Sequence, residues 1–419
     1  MRIITLRFLS AFTTLLILFI HDSRQQALGD TYARFSEEAF AAVAPVFGVW
    51  PDKTVVIVDD STDSANGWAT PFPYPTISAF PVLPTATDSI GDFGDWGLEL
   101  MTHEYTHVLN FEPANGFFKP VRWIFGSIVR PNVLIPRWYS EGLATAMETR
   151  FSNHGRLRSN NYLAIIRSMV KDSTLRTENI GRIGEGIPDW PGGMRPYLMG
   201  ALLWDDMIRR GGIEIVGKLN YDYSRRFPFF INGPVKSYLG LDYKNLLNKL
   251  YDRLETASAQ QMIKIKAAGG ATENLYLREG NWVHSPAFSP DGKWLAAVAH
   301  AHNRNSYVVL SSVENGNLKE VDRKKPGGDS IHRIAWFPDS RNFVYDALFT
   351  FDRYYEYSDL WRYDIVTKKR ERLTKGARAR EPMVSRDGKS LIFVQSTPGS
   401  TQLSTSNADG TGIRVLYIP

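Results

Sequence analysis

The stretch Trp96-Gly-Leu-Glu-Leu-Met-Thr-His-Glu-Tyr-Thr-His-Val-Leu-Asn110 decides the fold of the first half of the chain. Its apolar residues recur at helical spacing after a segment rich in Gly and Asp, so we predict a helix from about Trp96 to Asn110. Residues four apart on a helix project from one face, which places His103 and His107 side by side. Both imidazoles can therefore reach one metal ion, with Glu104 beside the first of them.

Two helical histidines with an adjacent glutamate predict a zinc hydrolase. Zn²⁺ bound by nitrogen at ~2.0 to 2.1 Å needs a third protein ligand and an open position for water. Glu104 is placed to take the proton of that water, so we predict it as the catalytic base. The chain contains no Cys, so its metal ligands must be His or carboxylate. Among only eight His, a chance match to this pattern is expected on the order of one time in a hundred.

The third ligand must come from another part of the chain. A metzincin would require Gly and His where this sequence has Asn110 and Pro113, so that class is excluded. The segment Pro136-Arg-Trp-Tyr-Ser-Glu-Gly-Leu-Ala-Thr-Ala-Met-Glu148 offers a carboxylate in the first turns of a second predicted helix. We predict this residue, Glu141, as the third ligand. Glu148 on the same face is an alternative ligand, although a structural or ligand-orienting carboxylate is the simpler interpretation.

The His-Glu-x-x-His motif followed by Trp-x-x-Glu-Gly-Leu-Ala resembles the gluzincin metallopeptidases, in particular the peptidase-MA-like group. The resemblance covers about residues 30–260 and implies that Glu141 completes a zinc site. It also implies that a Tyr on a later helix stabilises the oxyanion, a place that Tyr197 matches. A Tyr at the start of an apolar helix is also commonly a core residue. Because no segment resembles the one that captures a free amino terminus in related aminopeptidases, exopeptidase action is not implied.

A long apolar connection separates the two motifs, from Phe111 to Pro136. It is longer than in the aminopeptidase relatives, and four prolines interrupt it. One interpretation is a buried insertion. The other is a lid or a membrane-facing patch beside the site, because an exposed apolar patch of that size marks an interaction surface. Membrane proximity through residues 113–136 is therefore one expectation.

The first residues predict a targeting segment. Arg2 and Arg7 supply positive charge before an uncharged stretch from Phe8 to Ile20. This stretch is shorter than the ~20 residues needed to cross a bilayer comfortably. We predict residues 1–28 as a signal peptide or N-terminal anchor. The protein is then exported, and periplasmic or associated with the cell envelope of a bacterium.

Helices and strands follow one another over residues 29–263, which predicts an α+β zincin-type metallopeptidase domain. The predicted helices and strands are Asp30–Phe47, Lys53–Val58, Thr76–Val82, Trp96–Asn110, Trp138–Arg150, Asn161–Lys171, Tyr197–Arg210 and Tyr243–Ala259.

An internal repeat follows over residues 264–419. Ser289-Pro-Asp-Gly-Lys, Phe337-Pro-Asp-Ser-Arg and Ser385-Arg-Asp-Gly-Lys place an Asp every 48 residues (339 − 291 and 387 − 339). A turn between strands at this period is typical of a β-propeller blade, and the segments resemble the repeats of the TolB-like family. The fold class is thus a zincin-type domain followed by all-β blades. Three units are too few to close a ring, so the chain is a fragment, a partner completes the ring, or one blade is degenerate.

We expect a zinc-dependent peptidase acting on a peptide or protein substrate, with a propeller that binds substrate, gates access or binds an envelope protein. One alternative is a propeller-based binding protein with a vestigial metal domain, and another is a zinc hydrolase of a non-peptide amide or ester. Net charge is only +5, with no basic run interleaved with aromatics, so nucleic acid is not an expected partner. The remaining histidines have no partner spacing and are interpreted as surface or blade residues: His154, His284, His300, His302 and His332.

Overall fold

The computed structural model describes residues 2–9, 14–88, 93–185, 189–227, 229–269, 282–300, 306–314, 317–324 and 330–418. The chain divides into two compact units. The helical unit comprises Met1–Val58, Gly67–Ala79 and Asp92–Ala271. The blade unit comprises Asp59–Asn66, Phe80–Gly91 and Thr272–Pro419.

The helical unit contains a mixed sheet in the order β1-β2-β3-β5-β4. Strands β2, β3 and β5 run parallel, whereas β1 and β4 pair antiparallel at the two edges. Its strands are β1 Arg2–Leu9, β2 Thr14–His21, β3 Lys53–Val58, β4 Gly67–Thr70 and β5 Thr76–Ala79. Its helices are α1 Gln26–Phe47, α2 Trp96–Phe111, α3 Phe118–Phe125, α4 Arg137–Arg150, α5 Asn160–Lys171, α6 Arg195–Gly211, α7 Glu214–Ser224, α8 Asn232–Leu239 and α9 Tyr243–Ala267. The predicted α+β character is confirmed.

Part of the segment predicted as a signal peptide or anchor is a strand in the structure, and its targeting role stays a prediction. Residues 14–21 form strand β2, which pairs in parallel with β3, and Ile17 and Phe19 are fully buried there. An apolar run without charges suits a buried strand as well as an export signal, and the pairing with β3 cannot be read from the run itself. The prediction of export rested on this segment, so the compartment stays a prediction. No helix in the part of the chain that the structure describes is long and apolar enough to cross a membrane.

Helix α4 packs against both α2 and α6 in the helical unit. Gly142 of α4 lies against Gly200 of α6, and a Cβ on either residue would collide with the backbone of the other helix. Trp204 of α6 donates a hydrogen bond from its indole nitrogen to the carbonyl of Tyr139 on α4, at 2.9 Å. This close packing fixes the position of α4, which carries Glu141, relative to α6, which carries Tyr197.

The connection between the two motifs has an exposed first part and a buried end. It folds into α3 and short 3₁₀ turns; none of the residues of α3 is buried, whereas Arg130 and Asn132 are. Helix α3 is held by Arg122, which binds Glu112 at the end of α2, and by Phe118, whose ring packs on Phe227. The exposed interpretation therefore fits α3, and the buried one fits the end of the connection.

The blade unit contains three four-stranded antiparallel sheets, each formed by four consecutive strands. They are β6 Trp282–Phe288, β7 Trp294–His300, β8 Tyr307–Glu314 and β9 Asn317–Lys324; β10 Ile334–Trp336, β11 Asn342–Phe351, β12 Tyr355–Asp364 and β13 Arg370–Arg372; and β14 Ala379–Val384, β15 Ser390–Thr397, β16 Ser400–Asn407 and β17 Arg414–Tyr417. This arrangement is that of propeller blades and confirms the predicted repeat.

The repeated Asp residues explain why the turn sequence recurs. Asp291, Asp339 and Asp387 each accept a hydrogen bond from the backbone N–H two residues later, at 3.1, 2.9 and 3.1 Å. The residue after each Asp has a positive φ, which Gly adopts readily and which Ser340 adopts in the second repeat. The Asp closes the turn and the next residue supplies its left-handed backbone.

The boundary between the units differs from the predicted division at residue 264. Two early segments, 59–66 and 80–91, belong to the blade unit. Asp63 accepts a hydrogen bond from the Ser358 N–H at 2.9 Å and forms an ion pair with Arg378 at 2.7 Å. These contacts join residues 295 and 315 positions apart and carry no local sequence signal.

Candidate metal centre

The structure brings the three predicted ligands together in the helical unit. The Nε2 atoms of His103 and His107 lie 3.3 Å apart. The Oε2 atom of Glu141 lies 3.5 Å from the first nitrogen and 3.3 Å from the second. The helical unit thus presents three donor atoms that converge on one point, two from α2 and one from α4.

The spacing of these donors fits a zinc ion. Tetrahedral ligands with bonds of about 2.0 to 2.1 Å are about 3.3 to 3.4 Å from each other. The three measured separations, from 3.3 to 3.5 Å, agree with that triangle. Two imidazoles and one carboxylate are also a donor set that catalytic zinc sites use, with a fourth position left open.

Local sequence explains why α2 presents its donors here. Its first turn is capped by Asp95, whose side chain accepts a hydrogen bond from the Leu98 N–H at 3.3 Å. Glu99 adds a negative charge in the first turn, which stabilises the amino end of a helix. The helix then continues through the motif, so His103 and His107 lie on one face one turn apart.

Glu104 is buried beside the two histidines. Its Oε2 atom has no hydrogen-bond partner among the described residues. Burial raises the pKa of Glu104 above its usual value, and the nearby His103 and His107 only partly offset that rise. A desolvated carboxylate without a partner is a stronger base than an exposed one, which suits proton transfer.

Glu148 does not contact the convergence point, and instead it orients His103. Its Oε2 lies 3.0 Å from Nδ1 of His103, on the opposite side of the ring from the donor atom Nε2. Arg156 holds the same carboxylate with two hydrogen bonds, at 2.6 and 2.7 Å. This agrees with the simpler interpretation of Glu148, because a carboxylate on the second nitrogen fixes the ring and its tautomer for metal binding.

Tyr197 lies next to the three donors. Its ring stacks on that of His103, with centroids 6.3 Å apart, and its hydroxyl accepts a hydrogen bond from Arg137 at 3.2 Å. Burial and the charge of Glu141 raise the pKa of Tyr197, so the hydroxyl keeps its proton at neutral pH and can donate it in a hydrogen bond. The residue is therefore half-buried at the site rather than deep in the core.

The carboxylates of the site differ in how strongly they hold a proton. Burial would raise the pKa of Glu141, but His107 and His103 hold it well below its usual range. Burial likewise opposes ionisation of Glu148, but Arg156 and His103 outweigh it and lower its pKa to about 2. Glu141 and Glu148 are thus anionic at neutral pH, as a ligand and a ring-orienting group must be.

Two arginines of the site were not predicted. Arg137 lies four residues before Glu141 on α4, and its Nε is 3.5 Å from Oε1 of that ligand. This spacing is a helical ion-pair signal that the sequence does carry. Arg156 lies in a 3₁₀ turn after α4 and reaches Glu148 only through the fold, so no local pattern indicates it.

A second group of polar residues, in the blade unit, was also missed. Nε2 of His284 lies 2.9 Å from Nε2 of His300, and Nδ1 of His332 lies 2.5 Å from Asp346. The first two histidines are eight residues either side of Gly292, so the predicted hairpin already placed them on neighbouring strands. His154 is exposed, as predicted, whereas His302 is outside the described residues.

No protein-family model matches the chain, and no curated protein matches it. Parts of several solved structures are similar to part of it. A TolB structure from Agrobacterium tumefaciens is 23% identical, covers 35% of this chain and 50% of its own, and has a TM-score of 0.30. A structure of prolyl endopeptidases is 20% identical, with coverages of 36% and 25% and a TM-score of 0.29.

The β-propeller domain of the Trilobed protease from Pyrococcus furiosus is a further similar structure. It is 13% identical, covers 33% of this chain and 43% of its own length, and has a TM-score of 0.25. The chain therefore spans half or less of the length of each of these proteins.

Proposed function

We propose that the chain is a zinc-dependent hydrolase that cleaves peptide bonds, with His103, His107 and Glu141 as the zinc ligands. The observation that supports it most is the triangle of three donor atoms, whose sides of 3.3 to 3.5 Å fit tetrahedral zinc. The buried, unpartnered carboxylate of Glu104 beside this triangle adds the base that the chemistry needs.

Each residue of the site has a separate role in the proposed reaction. Zinc, when bound, polarises the scissile carbonyl and makes water nucleophilic at neutral pH. Glu104 accepts a proton from the attacking water and delivers it to the leaving amine. Tyr197 donates a hydrogen bond to the oxyanion that develops on the carbonyl oxygen. Arg137 positions the Tyr197 hydroxyl, and Glu148 with Arg156 keeps the His103 ring in place.

The blade unit is proposed to bind the substrate or a partner protein, because blades are rigid platforms for binding. This assignment is an analogy with other propellers, and it leaves the substrate sequence open. An amide or ester outside a peptide would meet the same zinc, base and oxyanion donor. Assays with peptide, ester and amide substrates therefore belong to the same experiment.

The test replaces Glu104 by Gln, which keeps the size of the side chain and removes its basicity. We expect hydrolysis of a mixed protein substrate to fall by roughly 10²- to 10⁴-fold. Zinc content should stay at the wild-type level, because the three ligands are intact. Hydrolysis is followed by the release of new amino termini, and zinc by elemental analysis of the same sample.

Glu99→Gln is the matched control, since Glu99 is also buried on α2 but accepts a hydrogen bond from the Gly94 N–H, away from the three donors. It should keep both activity and zinc. Wild-type turnover in Glu104→Gln would refute the proposed base. A wild-type protein that folds without binding zinc would instead favour a binding protein with a vestigial metal domain.

A further inference from the structure

A group of large apolar side chains is exposed at one surface of the helical unit, and we call it the aromatic surface. The exposed fraction of these residues ranges from 55% for Phe227 to 87% for Trp123. The members are Phe117, Trp123, Ile124, Phe125, Ile128, Phe227, Phe229 and Phe230. At 150 to 250 Å² per aromatic side chain, their exposed area is on the order of 1,000 Å². The largest apolar patch of a typical monomer is about 300 to 600 Å².

The two segments that form the aromatic surface are joined to each other. The rings of Phe117 and Phe227 pack with their centroids 5.5 Å apart. Beside them, the Asn115 N–H donates to the Ser224 carbonyl at 2.9 Å, and the Asn115 side chain donates to the Ser224 hydroxyl at 2.7 Å. The exposed side chains around α3 and those after α7 therefore form one surface.

All charged residues within 113–136 and 223–241 are basic: Lys119, Arg122, Arg130, Arg225, Arg226 and Lys236. Glu112 and Asp222, directly before these two ranges, pair with Arg122, Arg130 and Arg225, so six basic residues face two acidic ones and an excess of four positive charges remains (6 − 2). A second copy of the same face would bring this positive excess against itself, which like charges oppose. An anionic surface would pair with them. Trp and Phe among basic residues are also the composition of segments that lie at a membrane interface.

We propose that the aromatic surface docks the protein on the surface of an anionic lipid bilayer. The apolar side chains enter the boundary between headgroups and acyl chains, and the exposed basic residues Lys119, Arg225, Arg226 and Lys236 stay among the headgroup phosphates. The segment lies on the membrane and does not span it, because α3 has only 8 residues.

This surface is connected to the candidate metal centre. The ring of His107 stacks on Phe111 near the end of α2, with centroids 5.7 Å apart. The next residue, Glu112, binds Arg122 of α3 at 2.5 Å and also binds Arg130. Docking would therefore hold the carboxyl end of the ligand-bearing helix close to the lipid. The docking proposal does not depend on whether the centre hydrolyses peptides.

The experiment measures co-sedimentation of the full chain with vesicles of phosphatidylcholine alone and with phosphatidylglycerol added. We expect binding to the anionic vesicles that weakens as salt is raised. The double variant Trp123→Ser, Phe229→Ser should bind roughly tenfold less or weaker still, because it loses the two most exposed rings. Lys119→Glu should weaken binding to anionic vesicles and leave any residual binding to neutral vesicles unchanged.

Tyr354→Ser is the matched control, because Tyr354 is an equally exposed aromatic residue (83%) in the blade unit. It should bind vesicles like the wild type. Circular dichroism and zinc content of the double variant should be unchanged, since both residues are on the surface. Equal vesicle binding by the wild type and the double variant, or no binding to anionic vesicles, would overturn the proposal. A wild-type dimer that the double variant loses, without vesicle binding, would assign the surface to a second copy.

Discussion

His103 uses its two ring nitrogens for different contacts. Nε2 faces His107 and Glu141, while Nδ1 lies 3.0 Å from Oε2 of Glu148. Nη2 of Arg156 lies 2.9 Å from the same nitrogen and donates a hydrogen bond to that carboxylate oxygen at 2.6 Å. The ring of His103 is therefore held by contacts within the protein. A fixed ring would lower the entropic cost of binding an ion, so Glu148 and Arg156 would contribute to the affinity of the proposed zinc site.

Replacing Glu148 by Gln should weaken zinc binding by about 10- to 100-fold. The Gln amide can no longer accept a charge-assisted hydrogen bond from Nδ1, so the ring loses its orientation and some basicity. Competition with a chromophoric chelator measures the zinc affinity. Glu178→Gln is the control, since Glu178 forms a buried ion pair with Arg195 at 2.8 Å, elsewhere in the same unit. Equal zinc affinities of the two variants would contradict this role of Glu148.

Replacing Tyr197 by Phe should lower kcat by about 10²- to 10³-fold, because one oxyanion donor is lost. KM and zinc content should change little, since the ring and the three ligands stay in place. Steady-state kinetics on a peptide substrate separate the two constants. Tyr139→Phe is the control, because the hydroxyl of Tyr139 is buried and has no partner among the described residues. A kcat equal to that of the wild type would contradict the role of Tyr197 as an oxyanion donor and leave it only a structural role.

At the scale of single residues, the sequence predicted those members of the candidate site that belong to one short motif. His103, Glu104 and His107 lie within five residues on one helix, and their spacing alone places them together. Glu141 was predicted as a carboxylate in the first turns of the second predicted helix, and the resemblance to the gluzincins implies the same residue. Arg156 could not be predicted, because its contact with Glu148 depends on how a turn after α4 folds back.

Among the helices, the contact of α4 with α6 fixes Glu141, the proposed third ligand, relative to Tyr197. Gly142 and Gly200 allow the two backbones to touch. The sequence indicated this contact only through small residues at positions 142 and 144. The partner residue on α6 was not predicted, because a Gly inside an apolar helix has several explanations.

Gly142→Ala should destabilise the helical unit by about 1 to 3 kcal/mol, because its Cβ would collide with the Gly200 backbone and the helices must separate. The melting temperature of this unit should fall by roughly 5 °C. Differential scanning calorimetry measures it. Gly193→Ala is the control, since a Cβ there would meet no atom within 4 Å. A melting temperature equal to that of this control would show that the packing can relax without cost.

The strands show both a success and a failure of prediction from local sequence. Strand β3 was predicted with its observed bounds, Lys53–Val58, because its β-branched residues end at two Asp. Strand β2 was not predicted as a strand, since its partner β3 is more than 30 residues away; the prediction of a targeting segment there stays a prediction. Pairing between distant segments is decided by tertiary packing, which local composition does not contain.

On the scale of the whole molecule, neither of the two units is a single continuous stretch of the chain. Residues 59–66 and 80–91 leave the helical unit and fold with the blades. The repeat of the three Asp turns predicted the blades, because each turn closes within its own sequence. The packing of segments 59–66 and 80–91 with the blades could not be predicted, because nothing in the sequence around Asp63 indicates that it pairs with Arg378.

Asp63→Ala should destabilise the blade unit by about 3 kcal/mol, because Arg378 and the Ser358 N–H lose a buried partner. The melting temperature of this unit should fall by roughly 10 °C in calorimetry. Glu371→Ala removes an exposed ion pair with Arg362 in the same unit and should cost no more than about 1 kcal/mol. Similar shifts in the two variants would contradict the account of the early segments.

The most direct test of the central claim is the zinc content of purified wild-type protein and of the Glu141→Ala variant, measured by elemental analysis beside hydrolysis of a mixed protein substrate. The account predicts one zinc per wild-type chain, and loss of both zinc and hydrolysis in the variant. A wild-type protein that is folded but free of zinc after incubation with the ion, or a variant that retains both zinc and activity, would contradict it.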